Sequence, residues 1–514
     1  MKRFLVALCL VSGTISPAFA AKKKPEPVVV APPPPPPDPE AWRASPPAVM
    51  PERPWVPPTA ESFTLSNGIP VYLVQNPALP LVSIDLVMTV GREANPAGKA
   101  GLAMLTASML DESTTTRSGS QIAAEVAMAG ATLSISQYDE AAVVAMDALT
   151  GETLGPSLDL LADVVLHPKF DKSDYSQVQS QTLTAIQKAR SEPRDVVSRV
   201  FSSQLYGANH PYGIPSIGSE ESVKADTLSD VKKFYASWWH SKNAAFLVCG
   251  ATTEAELKPL LEARFGGWKA GKSSRPAVAA PATPIKTRVV FVEQPGAVQT
   301  VLRVGTVGVS RTSSEYFPAQ VEGNLFGGMF SSRLNMSLRE EHGWSYGAYG
   351  GFSDNRDYGT FAARTSVQAD KTAPAVTAIL AELAAAAAHN PSDADLKMSK
   401  DSMLKSLPGN FANNSATAGA FAGIPQFGLK PDLWRGYLAG IDGVSADQAG
   451  AAAKRYFDAS HLLIVAVGPR SVTVDDGKGG KVTVDVVAEL KALGFEYVDA
   501  TPATATPAGS RPAQ

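Results

Sequence analysis

The sequence predicts an α+β protein built from two homologous halves, and three observations lead there. First, 514 residues are too many for one hydrophobic core, since cores stop growing near 250–300 residues. Second, the order of apolar runs repeats once, with an offset of about 217 residues, and self-similarity of that kind is settled before finer reading. Third, a stretch rich in Ala, Pro, Ser and Lys, residues 270–284, separates the two copies as a linker. Two sandwich-like α/β halves joined in this way imply a clamshell with an internal cavity.

In the first copy, Asn67-Gly68 lies between two apolar runs as a hairpin signal. Val82, Ile84, Leu86, Met88 and Val90 then alternate as a strand does. A helix-like stretch follows from Gly101 to Leu110. In the second copy the apolar run Val298 to Val309 precedes a helix-like stretch from Glu315 to Leu325 at nearly the same spacing. Each copy closes alike: a helix ending in Phe234-Tyr235 or Tyr456-Phe457, then a strand ending in Gly250 or Gly468. The copies are placed at residues 59–269 and 285–498.

The ends differ from this folded region. Lys2 and Arg3, the apolar run Phe4 to Val11 and Ala18-Phe19-Ala20 read as a cleavable secretory signal over residues 1–20, which places the protein in the periplasm. The apolar run is far short of the ~20 residues that cross a bilayer, so no membrane span is expected after cleavage. Residues 21–58 hold 15 of the 40 prolines, six of them unbroken from Pro32 to Pro37, and are expected to form an extended, disordered spacer. Trp42 and Trp55 within it either dock on a folded surface or are incidental aromatics of a tether. Residues 499–514, rich in Ala, Thr and Pro, are expected to be a disordered tail.

Composition excludes several functions. The net charge of −3 gives no basic field for a polyanion, so nucleic acid is not an expected partner. With Cys9 inside the signal, the mature chain keeps only Cys249, which rules out an internal disulfide. Cys249 lies in the apolar run Phe246-Leu247-Val248-Cys249 and reads as a buried thiol rather than a reactive one.

The segment Gly101-Leu102-Ala103-Met104-Leu105-Thr106-Ala107-Ser108-Met109-Leu110 resembles the zinc-binding helix of the pitrilysin/insulinase (inverzincin) metallopeptidases, which reads G-L-A-H-x-x-E-H-M-L. In that motif two His ligands and a Glu general base face the metal from adjacent helical turns. Here Met104, Ala107 and Ser108 stand at those three positions. The family's third ligand, a Glu on a later helix, is missing too, because Tyr175 to Ser191 contains no Asp or Glu. A catalytic zinc needs three protein ligands, and His167, His210, His240, His342, His389 and His461 form no i, i+4 pair that replaces them. No metal is therefore expected in this chain. His210-Pro211-Tyr212-Gly213, Gly218 and Asn243 follow the family's order of landmarks and read as turns or core contacts.

In the second copy, Gly327-Gly328-Met329-Phe330-Ser331-Ser332-Arg333-Leu334 and then Leu338-Arg339-Glu340-Glu341-His342-Gly343-Trp344-Ser345-Tyr346-Gly347 are similar to the family's substrate-holding segment. There an Arg and a Tyr seven positions later reach the peptide at the zinc site, which maps onto Arg339 and Tyr346. Arg presents a fixed fork of donors to carbonyl oxygens, and a phenol can donate to a developing oxyanion. Gly343 is expected to end the helix, with Arg339 on its last turn. Arg333 and His342 read as structural.

The family includes two-chain enzymes in which one subunit carries the zinc helix and the other keeps the Arg/Tyr pair. The resemblance, from about Ser62 to Val498, implies the second kind: the substrate-binding, non-catalytic subunit of a heterodimeric periplasmic zinc peptidase, inactive alone. Its partners are then a homologous H-x-x-E-H subunit, which supplies the zinc, and a peptide. The alternatives are an inert scaffold or peptide-binding protein of the same fold, and an enzyme with a relocated metal site.

Overall fold

The computed structural model describes residues 40–45, 50–51, 55–281, 286–475 and 477–501. The expected signal, most of the expected spacer and the tail beyond Thr501 lie outside the described residues. The chain divides into two units, Met1–Pro54 and Trp55–Gln514. The first includes a 3-10 turn at Ala41–Ala44. The second carries both copies and begins four residues before the expected boundary, because the Trp55 ring packs against Phe411 at 5.3 Å. Of the two spacer tryptophans, Trp55 is thus a docked one.

Among the described residues fourteen strands appear in chain order: β1 (Glu61–Thr64), β2 (Pro70–Gln75), β3 (Leu81–Met88), β4 (Thr132–Gln137), β5 (Ala142–Leu149), β6 (Ala244–Gly250), β7 (Arg288–Glu293), β8 (Gln299–Gly308), β9 (Ser345–Ser353), β10 (Gly359–Gln368), β11 (Leu463–Gly468), β12 (Ser471–Asp475), β13 (Lys481–Asp485) and β14 (Glu496–Asp499). They form two six-stranded sheets, ordered β1-β2-β6-β3-β5-β4 and β14-β7-β11-β8-β10-β9, plus the β12-β13 ribbon. Five strands of each sheet correspond one to one; only the outer strand differs. In the first sheet it is β1, antiparallel to β2 across the turn where Gly68 takes φ +90°. In the second it is β14, which returns from the end of the folded chain and runs parallel to β7.

One face of each sheet is covered by helices of its own half. In the first, Leu158 and Leu161 of Leu154–Leu166 and Leu257, Leu261 and Phe265 of Glu254–Phe265 pack with Ile84, Leu86 and Phe246. In the second, Val376, Ile379 and Leu383 of Thr372–Ala388 pack with Val304, Phe361 and Ile464. The stretch Ala369–Ala388 is long and apolar enough to cross a membrane, but these three residues make it a core helix of the second half.

The opposite faces are covered by exchange. Pro193–Tyr206, a helix of the first half, lays Val196, Val197, Phe201 and Leu205 on Val290, Val465 and Val467 of the second sheet. The Tyr206 hydroxyl reaches the Gly359 carbonyl at 2.8 Å. Reciprocally, Asn414–Ala420 and the turn after it, from the second half, lay Ala418, Phe421 and Ile424 on Val87, Leu247 and Cys249 of the first sheet. Asn414 Nδ2 donates to the Leu81 carbonyl at 3.1 Å. With both faces covered, β6 and β11 are buried at every residue, the pattern expected of strands with no solvent face.

The linker is pinned as well. Arg275 is ion-paired with Glu93 at 3.1 Å and Glu140 at 2.7 Å. Glu140 also accepts from the Tyr212 hydroxyl and from the Arg356 amide at 2.9 Å, so one buried carboxylate ties together both halves and the linker. His210 serves the same region, accepting from the Tyr212 amide at 3.0 Å and contacting the Ala279 carbonyl at 2.9 Å. Cys249 is buried, its thiol pushed up to about 11 by desolvation, as an inert structural cysteine should be.

Candidate functional site

The segment that aligns with a zinc helix folds as a helix over Leu102–Ala107, shorter than the ten-residue pattern. Its start is fixed by two backbone features. Asn95 Oδ1 accepts from the Ala103 amide at 2.8 Å, acting as the cap that Gly101 cannot provide. Gly101 takes φ +92° with its Cα against Ile217 and Gly218, where an added Cβ would lie 2.6 Å from the Ile217 carbonyl oxygen. The sequence landmarks Gly101 and Gly218 are therefore one contact between two loops. On this helix Ala107 is buried, Met104 half-buried and Ser108 exposed. A thioether, a methyl and a hydroxyl do not make a zinc site, and no group of three His, Cys, Asp or Glu able to hold a metal occurs among the described residues.

The helix that aligns with the third-ligand helix, Lys172–Ser191, carries Gln179, Thr182 and Ile186 on the part facing the rest of the first half. Gln179 spends its amide on the Val223 carbonyl at 2.7 Å. The residues present do not fit a catalytic zinc.

The Arg/Tyr segment is built differently. The helix Tyr316–Gly323 widens into a π-helical turn over Asn324–Gly328, and a second π-helical turn spans Met336–Glu341. Such turns are rare and concentrate at functional sites. Gly327 lies on the backbone of Gly350 in β9, where a Cβ would come within 2.2 Å of the Gly350 nitrogen, so this glycine of the motif lets the turn sit directly on the sheet. Asn335 clamps the segment, donating to the Phe330 carbonyl at 2.7 Å and accepting from the Ala348 amide at 3.2 Å. Gly343, at φ +66°, ends the second turn as expected.

Arg339 and Tyr346 flank that glycine. The Arg339 guanidinium lies 4.7 Å over the Phe330 ring and 3.3 Å from Glu340. Tyr346 sits in the irregularity where the β9–β10 register shifts between Thr365 and Val367, a bulge that redirects a side chain. Ser345 Oγ pins this bulge, accepting from the Gly347 amide at 3.1 Å and bonding Thr365 Oγ1 at 2.8 Å. The result is a Tyr346 that is 92% exposed, with Tyr349 (55% exposed) lining the same cavity and Phe330 (61% exposed) under Arg339. Nothing among the described residues hydrogen-bonds the Tyr346 hydroxyl.

His342 stacks on Trp344 at 4.0 Å and 7°, and the charge of Arg333 opposes the burial that raises Glu322 to about 7.

Tyr346 also stands at the rim of a cavity of about 590 Å³ between the Pro193–Tyr206 helix and the second sheet, which Arg339 does not line. Its charged lining, Arg194, Arg303 and Arg364, was missed by sequence reasoning. The available signal was an Arg inside each of two strands, Val301-Leu302-Arg303-Val304 and Ala362-Ala363-Arg364-Thr365.

Comparison with known proteins agrees with this geometry. A model of the insulinase family (peptidase family M16) matches residues 70–218, and a model described as peptidase M16 inactive domain matches residues 227–403. Uncharacterized zinc proteases of Mycobacterium leprae and Bacillus subtilis are 26% and 25% identical to this chain, over 66% and 67% of it and 76% and 83% of their own lengths. Among solved structures, a peptidase M16 inactive domain from Pseudomonas fluorescens superposes with a TM-score of 0.75 at 22% identity, covering 80% of this chain and 98% of that one. A protease from Helicobacter pylori gives 0.74 at 20% identity, covering 80% and 100%.

Proposed function

Because the chain belongs to the pitrilysin/insulinase (M16) peptidase family yet has Met104, Ala107 and Ser108 in place of the H-x-x-E-H donors, we propose that it is the substrate-holding subunit of a two-chain periplasmic zinc peptidase. The observation that carries this reading is the exposure of Tyr346 at a pinned bulge: a phenol held out by its own hydrogen-bonded frame, on a chain whose zinc-helix positions Met104, Ala107 and Ser108 carry no metal donors. In this reading the Arg339 guanidinium grips peptide carbonyl oxygens and the Tyr346 hydroxyl donates to the oxygen on which charge develops. A homologous H-x-x-E-H subunit contributes the metal. The exposed rings of Phe330 and Tyr349 supply apolar area for that encounter.

The scaffold reading keeps one supporting observation. A chain of complex III2 from Candida albicans shares the fold, with a TM-score of 0.68 at 17% identity over 79% of this chain and 95% of that one. Kinetics of the reconstituted pair separate the two. Under the peptidase reading, Arg339→Ala and Tyr346→Phe each lower kcat/KM about tenfold or more, the usual loss for one oxyanion donor. Under the scaffold reading, mixing with the H-x-x-E-H subunit restores no cleavage and both substitutions are silent.

A further inference from the structure

Across the second sheet, one row of side chains runs Val465 (β11), Arg303 (β8), Arg364 (β10) and Tyr349 (β9), each directly opposite the next. Residues so paired have Cβ atoms about 5 Å apart, and like charges there repel. The row faces the Pro193–Tyr206 helix, since Val465 packs with Val197 and Phe201 and the Arg303 guanidinium lies 4.8 Å over the Phe201 ring. Arg194, on the first turn of that helix, joins the same cavity.

Four other partly buried arginines among the described residues have carboxylate partners. Arg92 pairs with Asp139, Arg264 with Asp159, Arg275 with Glu93 and Glu140, and Arg311 with Asp354. Among the described residues no carboxylate pairs with Arg194, Arg303 or Arg364, and Arg303 Nε is buried without a hydrogen-bond partner. Burial and the charge of Arg364 lower the Arg303 guanidinium to about 10. Packing does not demand the arginine: the corresponding position of the first sheet, opposite Leu247 as Arg303 is opposite Val465, holds Asp85. Arg303 is half-buried, with exposed Arg364 directly opposite it and no carboxylate among the described residues to balance the two charges, so an anion is the partner this arrangement fits. A guanidinium fork matches a carboxylate bidentately, and the cavity opens beside Tyr346.

We propose that the cavity lined by Arg194, Arg303 and Arg364 is a subsite for a peptide carboxylate, either the C-terminal carboxylate or an Asp/Glu side chain, next to the scissile segment held at Tyr346. This rests on the reading of the chain as a peptide-holding subunit, and it makes the subunit selective for acidic or chain-terminal peptide ends.

The test is fluorescence anisotropy of the purified full chain, without partner, at low salt, where charge contacts are least screened. One labelled, otherwise neutral peptide is used in three forms: free C-terminal acid, C-terminal amide, and amide with one internal Glu. A carboxylate form is expected to bind about tenfold or more tighter than the neutral amide, from charge-assisted hydrogen bonds. The form favoured identifies the source of the carboxylate. Arg303→Gln and Arg364→Gln should each reduce the preference about tenfold, with thermal melts confirming that both variants fold. Equal binding of the three peptides, no binding at all, or a preference that survives the double variant overturns the proposal. Failure to restore proteolysis with an H-x-x-E-H partner would leave this binding result intact, so the two readings fail separately.

Discussion

The two sheets are covered on their exchanged faces in the same way but with different charged linings. Against the first sheet, the space under residues 414–427 is lined by Asp85, Asp139, Glu140 and Asp354. Against the second, the space under Pro193–Tyr206 is lined by Arg194, Arg303 and Arg364. Of the four carboxylates on one side, Asp139, Glu140 and Asp354 are paired with Arg92, Arg275 and Arg311, whereas the arginines on the other side have no carboxylate partner among the described residues. Asp85 and Arg303 occupy equivalent strand positions. A duplicated scaffold therefore fixes backbone, register and helix exchange, while the residue at one inward position sets what each half can hold.

The largest expected effect tests the exchange itself. Phe201→Ala and Phe421→Ala each remove a fully buried ring from a segment lying on the other half's sheet, and each should cost about 3–5 kcal/mol. In denaturant titrations both variants should shift one common transition. Two separate transitions, with each substitution moving only one, would show that the halves fold independently.

A middle-sized effect concerns Asp85. Burial, and secondarily the charge of Asp147, raise its carboxyl to about 7, above the ~4 of an unfolded Asp. Between those values the unfolded chain has released a proton that the folded chain still holds, so this group's contribution to stability falls as pH rises from about 4 to 7 and is flat above. Asp85→Asn should narrow the stability difference between pH 5 and pH 8 by about 2 kcal/mol, read from urea midpoints at the two values. An unchanged difference would place the acidic character of that cavity elsewhere.

The smallest expected effect is on the cationic side. Arg364→Gln relieves the repulsion with Arg303 across β8–β10, and without ligand it should raise stability by about 0.5 kcal/mol. A clear loss of stability would mean that Arg364 is held by packing rather than left in want of a counter-ion.

Much of this architecture was legible in the sequence because it is written locally. The alternation of Val82, Ile84, Leu86 and Met88 became β3, and the spacing around Asn67-Gly68 became the β1–β2 hairpin. Arg339, Gly343 and Tyr346 lie within eight residues and were read as one motif. What escaped was non-local. Nothing local in Pro193–Tyr206 or Asn414–Ala420 says that their apolar side chains belong to the other half's sheet. Arg303 and Arg364 are 61 residues apart in sequence and become neighbours only through the antiparallel β8–β10 register. The Pro-rich segment ends sooner than composition implies, since a single ring contact from Trp55 to Phe411 starts the folded unit.

The central claim is that this chain has no catalytic metal of its own. It is tested most directly by metal analysis of the purified chain after gel filtration, alongside a peptide-cleavage assay before and after addition of the H-x-x-E-H subunit. The account predicts no stoichiometric zinc and no cleavage by the chain alone, with cleavage appearing on mixing. About one tightly held zinc per chain, together with chelator-sensitive cleavage in the absence of any partner, would contradict it.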